Sequence, residues 1–317
     1  MIHFFKYLLI GLLFINCSEK NKEKINEPVK NKYKVIAYVH GWNDILETHK
    51  EKASQITHIN YAFANIKDGK VIEGKSSDTE TLKKLNGLKS VNKELKILIS
   101  VGGWTWSKNF SDAALTDQSR EVFANSAIAF MQKHNIDGID LDWEYPGLPG
   151  AGNVHRPEDK ENFTAILKLI RGKLDTLSNG ENYLLTIATG ASQNYLDHTN
   201  MKEAHKYLDF INIMTYDFHG GGERKTGHHA NLNRSESDDN VRVRSADMAV
   251  IEHVNAGIPL EKIVLGVPFY GRWWTGAKSE NNGLYQAANG KRGSYSYKTI
   301  ADSLAMNSFV SFWDEKA

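Results

Sequence analysis

Short runs of β-branched and aromatic residues alternate with longer amphipathic runs from Lys34 onward. The short runs predict seven strands, at Lys34–His40, Thr57–Phe63, Leu95–Val101, Ile136–Trp143, Tyr183–Thr189, Phe210–Thr215 and Lys262–Pro268. The longer runs predict helices, among them Asp78–Asn92, Asp117–His134, Pro157–Leu177 and Arg242–Ala256. This order predicts parallel strands joined by helical crossovers, in either a (β/α)8 barrel or a doubly wound open sheet.

Polar and aromatic residues distinguish these two arrangements, because they collect where several predicted strands end. They include Tyr38, Phe63, Ser100, Trp104, Glu144, Tyr145, Met214, Tyr216, Asp217, Tyr270 and Arg272. A (β/α)8 barrel builds its site from the carboxyl ends of many strands. No glycine-rich phosphate loop follows the first strand, which counts against an open dinucleotide-binding sheet. The sequence therefore predicts a (β/α)8 TIM barrel.

An acidic row lies on the fourth predicted strand, where Asp137–Pro146 reads Asp-Gly-Ile-Asp-Leu-Asp-Trp-Glu-Tyr-Pro. Asp140, Asp142 and Glu144 alternate with large apolar residues, so a strand places the three carboxyls on one face. Closely set carboxyls of different pKa suit general acid catalysis beside a charged stabiliser. The pattern predicts an active-site strand.

Composition narrows the partners of this site. The 317 residues carry 39 basic and 38 acidic side chains, which gives a formal net charge of +1. A nucleic-acid partner is therefore not expected, and a neutral substrate is expected instead. The single cysteine, Cys17, excludes a disulfide within the chain. His228 and His229 are adjacent but have no acids at ligand spacing, so neither a metal nor a cofactor is predicted.

The amino terminus predicts export. Lys6 precedes an apolar run too short to span a bilayer, which is typical of a secretory signal over residues 1–17. The segment Leu13–Ser18 resembles a bacterial lipoprotein cleavage box, in which Cys17 becomes the acylated first residue. An ordinary signal peptide with an incidental cysteine is the alternative. Residues 18–32 then form a polar linker. The predicted location is a membrane-anchored lipoprotein on the cell envelope or surface, otherwise secreted, with membrane contact only through the lipid.

Four separated motifs resemble those of one known family. They are Asp137–Pro146, Ser100–Gly103 on the third predicted strand, Met214–Asp217 on the sixth and Gly266–Arg272 on the seventh. Together, and in this order, they resemble the glycoside hydrolase family 18 chitinases. The resemblance covers the chain from about Lys34 to its carboxyl end.

The resemblance implies a role for each acidic residue. Glu144 is similar to the general acid that protonates the glycosidic oxygen. Asp142 would hold the N–H of the sugar's 2-acetamido group, Tyr216 would bond its oxygen, and Asp140 would share a proton with Asp142. In this family the substrate supplies its own nucleophile, through an oxazolinium ion and with net retention. The implied reaction is hydrolysis of β-1,4 linkages between the N-acetylglucosamine units of chitin.

Eight further residues are predicted to bind substrate: aromatic side chains because flat rings stack on sugar faces, and Asp217 and Arg272 because they match family positions at the catalytic subsite. They are Tyr38, Phe63, Trp104, Tyr145, Met214, Asp217, Tyr270 and Arg272. Core packing is the rival interpretation at Phe63, and a structural ion pair is the rival for Asp217 and Arg272. An endo-β-N-acetylglucosaminidase acting on N-glycans and a non-catalytic chitin-binding relative stay open as alternatives. The expected state is a monomer that binds chitin or chitooligosaccharides.

The domain prediction is a catalytic barrel over residues 33–272 with about seven of its eight strands, followed by the start of a small α+β insertion over residues 273–317. Short strands at Tyr295–Tyr297 and Phe309–Trp313 support the insertion. The family's eighth strand and its tryptophan are not found in this sequence, so a C-terminally truncated chain of uncertain activity is expected.

Overall fold

The computed structural model describes residues 33–40, 50–177, 182–220, 222–238, 244–306, 310–315 and 317. The strands are β1 (Ile36–His40), β2 (His58–Lys67), β3 (Lys70–Ile72), β4 (Lys96–Gly102), β5 (Gly138–Asp142), β6 (Leu184–Gly190), β7 (Phe210–Met214), β8 (Ile263–Leu265), β9 (Tyr270–Trp274) and β10 (Arg292–Ser296). The α-helices are α1 (Asp78–Gly87), α2 (Phe110–Ala114), α3 (Asp117–Lys133), α4 (Asp159–Leu177), α5 (Gln193–Asp197), α6 (Met201–Ala204), α7 (Ala246–Asn255) and α8 (Tyr297–Ala305). None of the helices described is long and apolar enough to cross a membrane.

Seven parallel strands form one curled sheet, in the order β1, β2, β4, β5, β6, β7 and β8. Because neighbours in space are successive along the chain, the sheet winds in one direction and lacks the reversal of a doubly wound fold. Its strands form a half-barrel in which, among the described residues, β1 and β8 are the two edges. The predicted barrel architecture with seven strands is confirmed.

The apolar positions of the strands supply the core. On β5, Ile139 and Leu141 are fully buried, as alternation predicts. Trp143, just beyond that strand, stacks on Phe110 with ring centroids 5.1 Å apart, and it meets Phe163 of α4 edge to face at 5.8 Å. This packing fixes the outer side of the acidic strand against its helices.

One strand and its turn were not predicted from the sequence. Strand β2 continues beyond Phe63 to Lys67 and turns back into the antiparallel β3. Asp68 and Gly69 have φ values of 52° and 73° at this turn. A two-residue hairpin turn of this kind needs positive φ at both positions, which Asp-Gly tolerates well. The Asp-Gly pair was therefore an available signal.

The seventh barrel strand is shorter than predicted, since β8 covers Ile263–Leu265 rather than Lys262–Pro268. It pairs only with β7 among the described strands, and Pro268 has no N–H to extend a ladder. The helices α3 and α4 match their predicted bounds to within two residues.

The last segment is a hairpin followed by a helix. Strands β9 and β10 pair antiparallel, and α8 begins at Tyr297, where the Ser296 hydroxyl accepts from the Thr299 N–H as an N-cap. The predicted strand at Tyr295–Tyr297 is therefore wrong at Tyr297. Residues 310–313 are not in a strand either, so the prediction at Phe309–Trp313 is wrong for them.

Residues 1–32 lie outside the described part of the chain. The predicted signal segment, Cys17 and the polar linker all fall there.

Candidate active site

Asp140 lies in the middle of the inner face of the sheet and is fully buried. Its Oδ2 accepts hydrogen bonds from the hydroxyls of Tyr38 (3.0 Å) and Ser100 (2.8 Å). Its Oδ1 accepts from the Thr186 hydroxyl at 2.5 Å and from Asn212 Nδ2 at 3.4 Å. The strand register explains this convergence, since Ser100, Asp140 and Thr186 are aligned across β4, β5 and β6. Four donors from four strands therefore satisfy one carboxylate.

Burial raises the pKa of Asp140, and its four hydrogen bonds oppose that rise. Asp142, two residues further along the same face, has a different environment. It is buried, and its Oδ1 has no hydrogen-bond partner among the described residues. Burial raises the pKa of Asp142 well above its usual range, and the neighbouring charges of Glu144 and Asp140 add to the effect. Burial thus favours the protonated form of this carboxyl as long as no donor or positive charge faces it.

Glu144 lies just beyond the end of β5 and is 8% exposed. Burial raises its pKa to about 7, a hydrogen bond with Tyr145 opposes the shift, and the charge of Asp217 adds to it. A carboxyl with this pKa exists in both protonation states near neutrality, which a general acid and base requires. The backbone N–H of Glu144 donates to the Ser107 hydroxyl at 2.9 Å.

Three tyrosines surround the two outer carboxyls. Burial raises the pKa values of Tyr145, Tyr195 and Tyr216, and the charge of Asp142 raises each further. Their hydroxyls therefore stay protonated and available as donors at any physiological pH. Tyr145 meets Tyr195 edge to face with ring centroids 5.9 Å apart. The Tyr145 ring therefore packs against a neighbour while its hydroxyl remains a hydrogen-bond donor.

Asp217 follows Tyr216 in a positive-φ conformation (60°) and holds two residues of the β9 strand. Its Oδ2 accepts from the Tyr270 hydroxyl at 2.7 Å, and its Oδ1 accepts from Arg272 Nε at 2.8 Å. His229 Nδ1 lies 3.6 Å from the same Oδ1. Burial acts to raise the pKa of Asp217, but the hydrogen bonds from these partners outweigh it and the pKa is lowered. The carboxylate is therefore charged beside Glu144.

The aromatic residues predicted to bind substrate differ in their exposure. Trp104 is 53% exposed, while the half-buried Phe63 ring packs over Gly103. A Cβ at Gly103 would lie 2.7 Å from that ring, and its φ is +76°, so glycine is required there. A cavity of 170 Å³ opens between Phe63, Trp104 and Trp106. Tyr38 differs from these rings, because its hydroxyl bonds Asp140 while the residue is 38% exposed.

Met214 ends β7 and is half-buried, next in sequence to the fully enclosed Thr215 and close to Tyr216. The structure thus places Tyr38 and Phe63 inside β1 and β2, and other predicted residues at or just after the ends of β4, β5 and β7, with Tyr270 and Arg272 on β9. Phe63 was predicted at a strand end, but β2 continues past it to Lys67. Such an arrangement can protonate a leaving group from Glu144 and stabilise a positive charge with Asp142.

A sequence model of the Glycosyl hydrolases family 18 matches residues 34–317. The chain belongs to this family. The family 18 assignment rests on nearly the whole described chain, and it agrees with the resemblance carried by the four motifs.

Relatives of this family 18 chain include Chitinase A1 of Niallia circulans, 37% identical over 90% of the chain and 50% of that protein. Chitinase 1 of Aphanocladium album is 34% identical over 78% of the chain and 63% of its own length. A solved family 18 N-acetylglucosaminidase from Paenibacillus barengoltzii is 41% identical with a TM-score of 0.82, covering 90% of the chain and 83% of that structure. The chain therefore spans only about half to two thirds of these two curated relatives.

Sequence reasoning missed several residues of the candidate site. Thr186 and Asn212 bond Asp140, the Tyr195 hydroxyl is buried near Asp142, and Ser107 bonds the backbone of Glu144. Thr186 and Asn212 are polar residues inside largely apolar strands, which was a usable signal. Ser107 lies in a 3₁₀ turn, where no periodicity points to its partner.

Proposed function

We propose that this protein hydrolyses β-1,4 linkages between N-acetylglucosamine units of chitin, with retention of anomeric configuration. The observation that supports this most directly is the Glu144 carboxyl at the end of β5, with its pKa raised to about 7, beside the buried Asp142 with a raised pKa of its own. A neutral polysaccharide suits a chain whose formal net charge is +1.

In the proposed reaction, Glu144 transfers its proton to the glycosidic oxygen as the bond to the anomeric carbon breaks. The 2-acetamido oxygen of the same sugar attacks that carbon and forms an oxazolinium ion. Asp142 accepts a hydrogen bond from the acetamido N–H and stabilises the positive charge, while the Tyr216 hydroxyl orients the acetamido oxygen. Glu144, now a carboxylate, takes a proton from the water that opens the ion. Two inversions give net retention.

The remaining side chains would hold the sugars on either side of the cleavage point. The rings of Trp104 and Phe63 offer flat faces to sugar C–H groups. The Asp217–Arg272 pair offers charged polar groups near Glu144. Tyr38, Tyr145, Met214 and Tyr270 are proposed to complete the substrate-binding surface.

Purified full chain tests this proposal on three substrates. Fluorogenic chitobioside and chitotrioside should both be cleaved, and an N-glycan with its chitobiose core should not. Proton NMR of the first product should record the β-anomer before mutarotation. Selective cleavage of the N-glycan would identify the endo-β-N-acetylglucosaminidase instead, and binding without cleavage would identify the non-catalytic relative. An α-anomeric first product would contradict retention.

We also propose that the protein is exported and anchored through Cys17, with residues 18–32 as a tether and the catalytic domain beginning near residue 33. Labelled palmitate should enter the wild-type precursor in a bacterial host but not a Cys17→Ser variant. Equal labelling of both would contradict the anchor, and secretion of an unlabelled mature chain would support an ordinary signal peptide.

A further inference from the structure

Ser107 opens the 3₁₀ turn that follows β4, and it is fully buried. Its hydroxyl accepts the backbone N–H of Glu144 at 2.9 Å. It also lies 2.9 Å from the carbonyl oxygen of Gly103 and 3.0 Å from that of Asp142, and these two acceptors share its single proton. One side chain therefore bonds the backbone of both outer carboxyl residues.

The peptide segment between these carboxyls is fixed on its other side as well. The Trp143 ring is stacked in the core, and the Gly103 N–H donates to the Asp142 carbonyl at 2.8 Å. Gly102 lies so close that a Cβ there would be 2.3 Å from the Asp142 carbonyl oxygen. Among the described residues, the Glu144 N–H has Ser107 as its acceptor, so this hydroxyl completes the restraint on residues 142–144.

We infer that Ser107 is a positioning residue for general acid catalysis, which sets the direction of the Glu144 carboxyl relative to Asp142. This inference rests on the proposed function and extends it to a residue that never meets substrate. The side chain is 0% exposed, and the hydrogen bonds of its hydroxyl go to backbone groups. Its effect must therefore pass through the backbone groups that it bonds, at Gly103, Asp142 and Glu144.

The consequence depends on the leaving group. A misplacement of about 1 Å at a reacting group lowers a rate by roughly 10²-fold. A sugar hydroxyl leaves poorly and requires proton transfer from Glu144, whereas a nitrophenolate leaves with little protonation. Loss of the Ser107 hydroxyl should thus slow cleavage of chitotetraose by about 10- to 100-fold in kcat, with KM nearly constant. Release of 4-nitrophenol from the nitrophenyl chitobioside should fall by roughly threefold or less.

The Ser107→Ala variant of the full chain tests this expectation against Ser126→Ala. Ser126 has the same chemistry at a distant place, since its hydroxyl accepts the Val71 N–H at 2.9 Å and donates to the Phe123 carbonyl at 2.8 Å. Both variants lose one serine hydroxyl that accepts a backbone N–H and donates to a backbone carbonyl, with Ser107 buried and Ser126 half-buried, but only Ser107→Ala should change the ratio of the two kcat values. An unchanged ratio in Ser107→Ala, or an equal change in Ser126→Ala, would overturn the inference.

Two further measurements keep the test decisive. Ser107→Thr keeps the oxygen and should restore the wild-type ratio, whereas Ser107→Cys fills the same space with a weak acceptor and should behave as alanine does. Carbon-13 NMR titration of the Glu144 carboxyl requires no turnover and should show a shifted pKa in Ser107→Ala but not in Ser126→Ala. If the wild-type chain cleaves neither substrate, the proposed function fails. The titration then decides by itself whether Ser107 positions the Glu144 carboxyl.

Discussion

Three carboxyls on one strand end differ chiefly in how many donors each one has. Asp140 has four hydrogen bonds, Asp142 Oδ1 has no partner within the described chain, and Glu144 lies beyond the strand end. Hydrogen bonds to a carboxylate favour its charged form, while burial without them favours protonation. The charged form of Asp140 therefore has the most hydrogen-bond support of the three, while Asp142 depends on a donor or a positive charge from the substrate to favour its carboxylate.

Replacing Glu144 with glutamine should remove proton transfer while preserving shape. The kcat on a fluorogenic chitotrioside should fall by about 10² to 10⁴-fold, because an amide N–H is far too weak an acid to transfer a proton to the leaving oxygen. Chitotetraose binding, measured by calorimetry, should stay within about threefold of wild type, since the isosteric amide removes little contact. Activity near the wild-type level would exclude Glu144 as the acid.

The pH dependence of kcat/KM should report the pKa of Glu144 in the free enzyme. The protonated form is the active acid, so activity should decline as pH rises through about 7. Burial is the main cause of that pKa and the charge of Asp217 adds to it. Asp217→Asn should therefore move the alkaline limb to lower pH, whereas Asp117→Asn, on the outer helix α3, should not. A limb that moves to higher pH in Asp217→Asn would contradict this assignment.

The elements explain which parts of the site the sequence could predict. Alternation on β5 was sufficient for the carboxyl face, because strand period alone determines which side chains share a side. Register between strands depends on contacts far apart in sequence, so the donors from Thr186 and Asn212 could not be read from one strand. The length of β8 also depends on its neighbours, which explains why a pattern extending to Pro268 overestimated it.

Thr186→Val should remove a hydrogen bond to Asp140 and destabilise the fold, although the two side chains have nearly the same volume. The valine leaves Asp140 Oδ1 with only Asn212, at 3.4 Å, and a hydrogen bond to a charged group contributes about 1.5–3 kcal/mol. The pKa of Asp140 should rise, because a donor that lowers it is lost. Urea denaturation at pH 7 should record the lower free energy of unfolding.

A matched control for this substitution lies on α4. The Thr164 hydroxyl is buried, and it has no hydrogen-bond partner among the residues described. Thr164→Val should therefore leave the free energy of unfolding unchanged or slightly higher. Equal losses in the two variants would mean that valine itself, rather than the bond to Asp140, causes the destabilisation.

On the scale of the whole molecule, the fold contains buried histidines whose pKa is lowered and buried carboxyls whose pKa is raised. Burial lowers the pKa of His58 and of His253 to about 4. The His253 ring bonds the Ala249 carbonyl at 2.7 Å and the Thr189 hydroxyl at 3.0 Å, so its neutral form has both partners. Burial meanwhile raises the pKa of Asp142 and Glu144. The stability of the fold in mild acid is the balance of these groups.

The histidines and Glu144 change the free energy of unfolding in opposite directions as the pH is lowered. Between pH 6.5 and 4, an unfolded histidine binds a proton but the folded one does not. The free energy of unfolding therefore falls as the pH is lowered, by roughly 3 kcal/mol for each histidine. Between pH 7 and 4.5, folded Glu144 binds a proton that the unfolded residue lacks, so the free energy rises as pH falls, by a similar amount. The wild-type chain should therefore lose less stability in this window than its histidines alone would cause.

Glu144→Gln separates the two contributions. Without the carboxyl, the variant should be more stable than wild type at pH 7, because the cost of a buried charge is absent. Its free energy of unfolding, from urea titrations at pH 7, 5.5 and 4, should then fall more steeply toward acid. Adding His253→Gln, which replaces the imidazole with an amide that does not titrate, should flatten that slope, because one of the two histidine contributions is gone. If the double variant kept the full slope of Glu144→Gln, proton uptake by His253 would not be a cause of acid destabilisation.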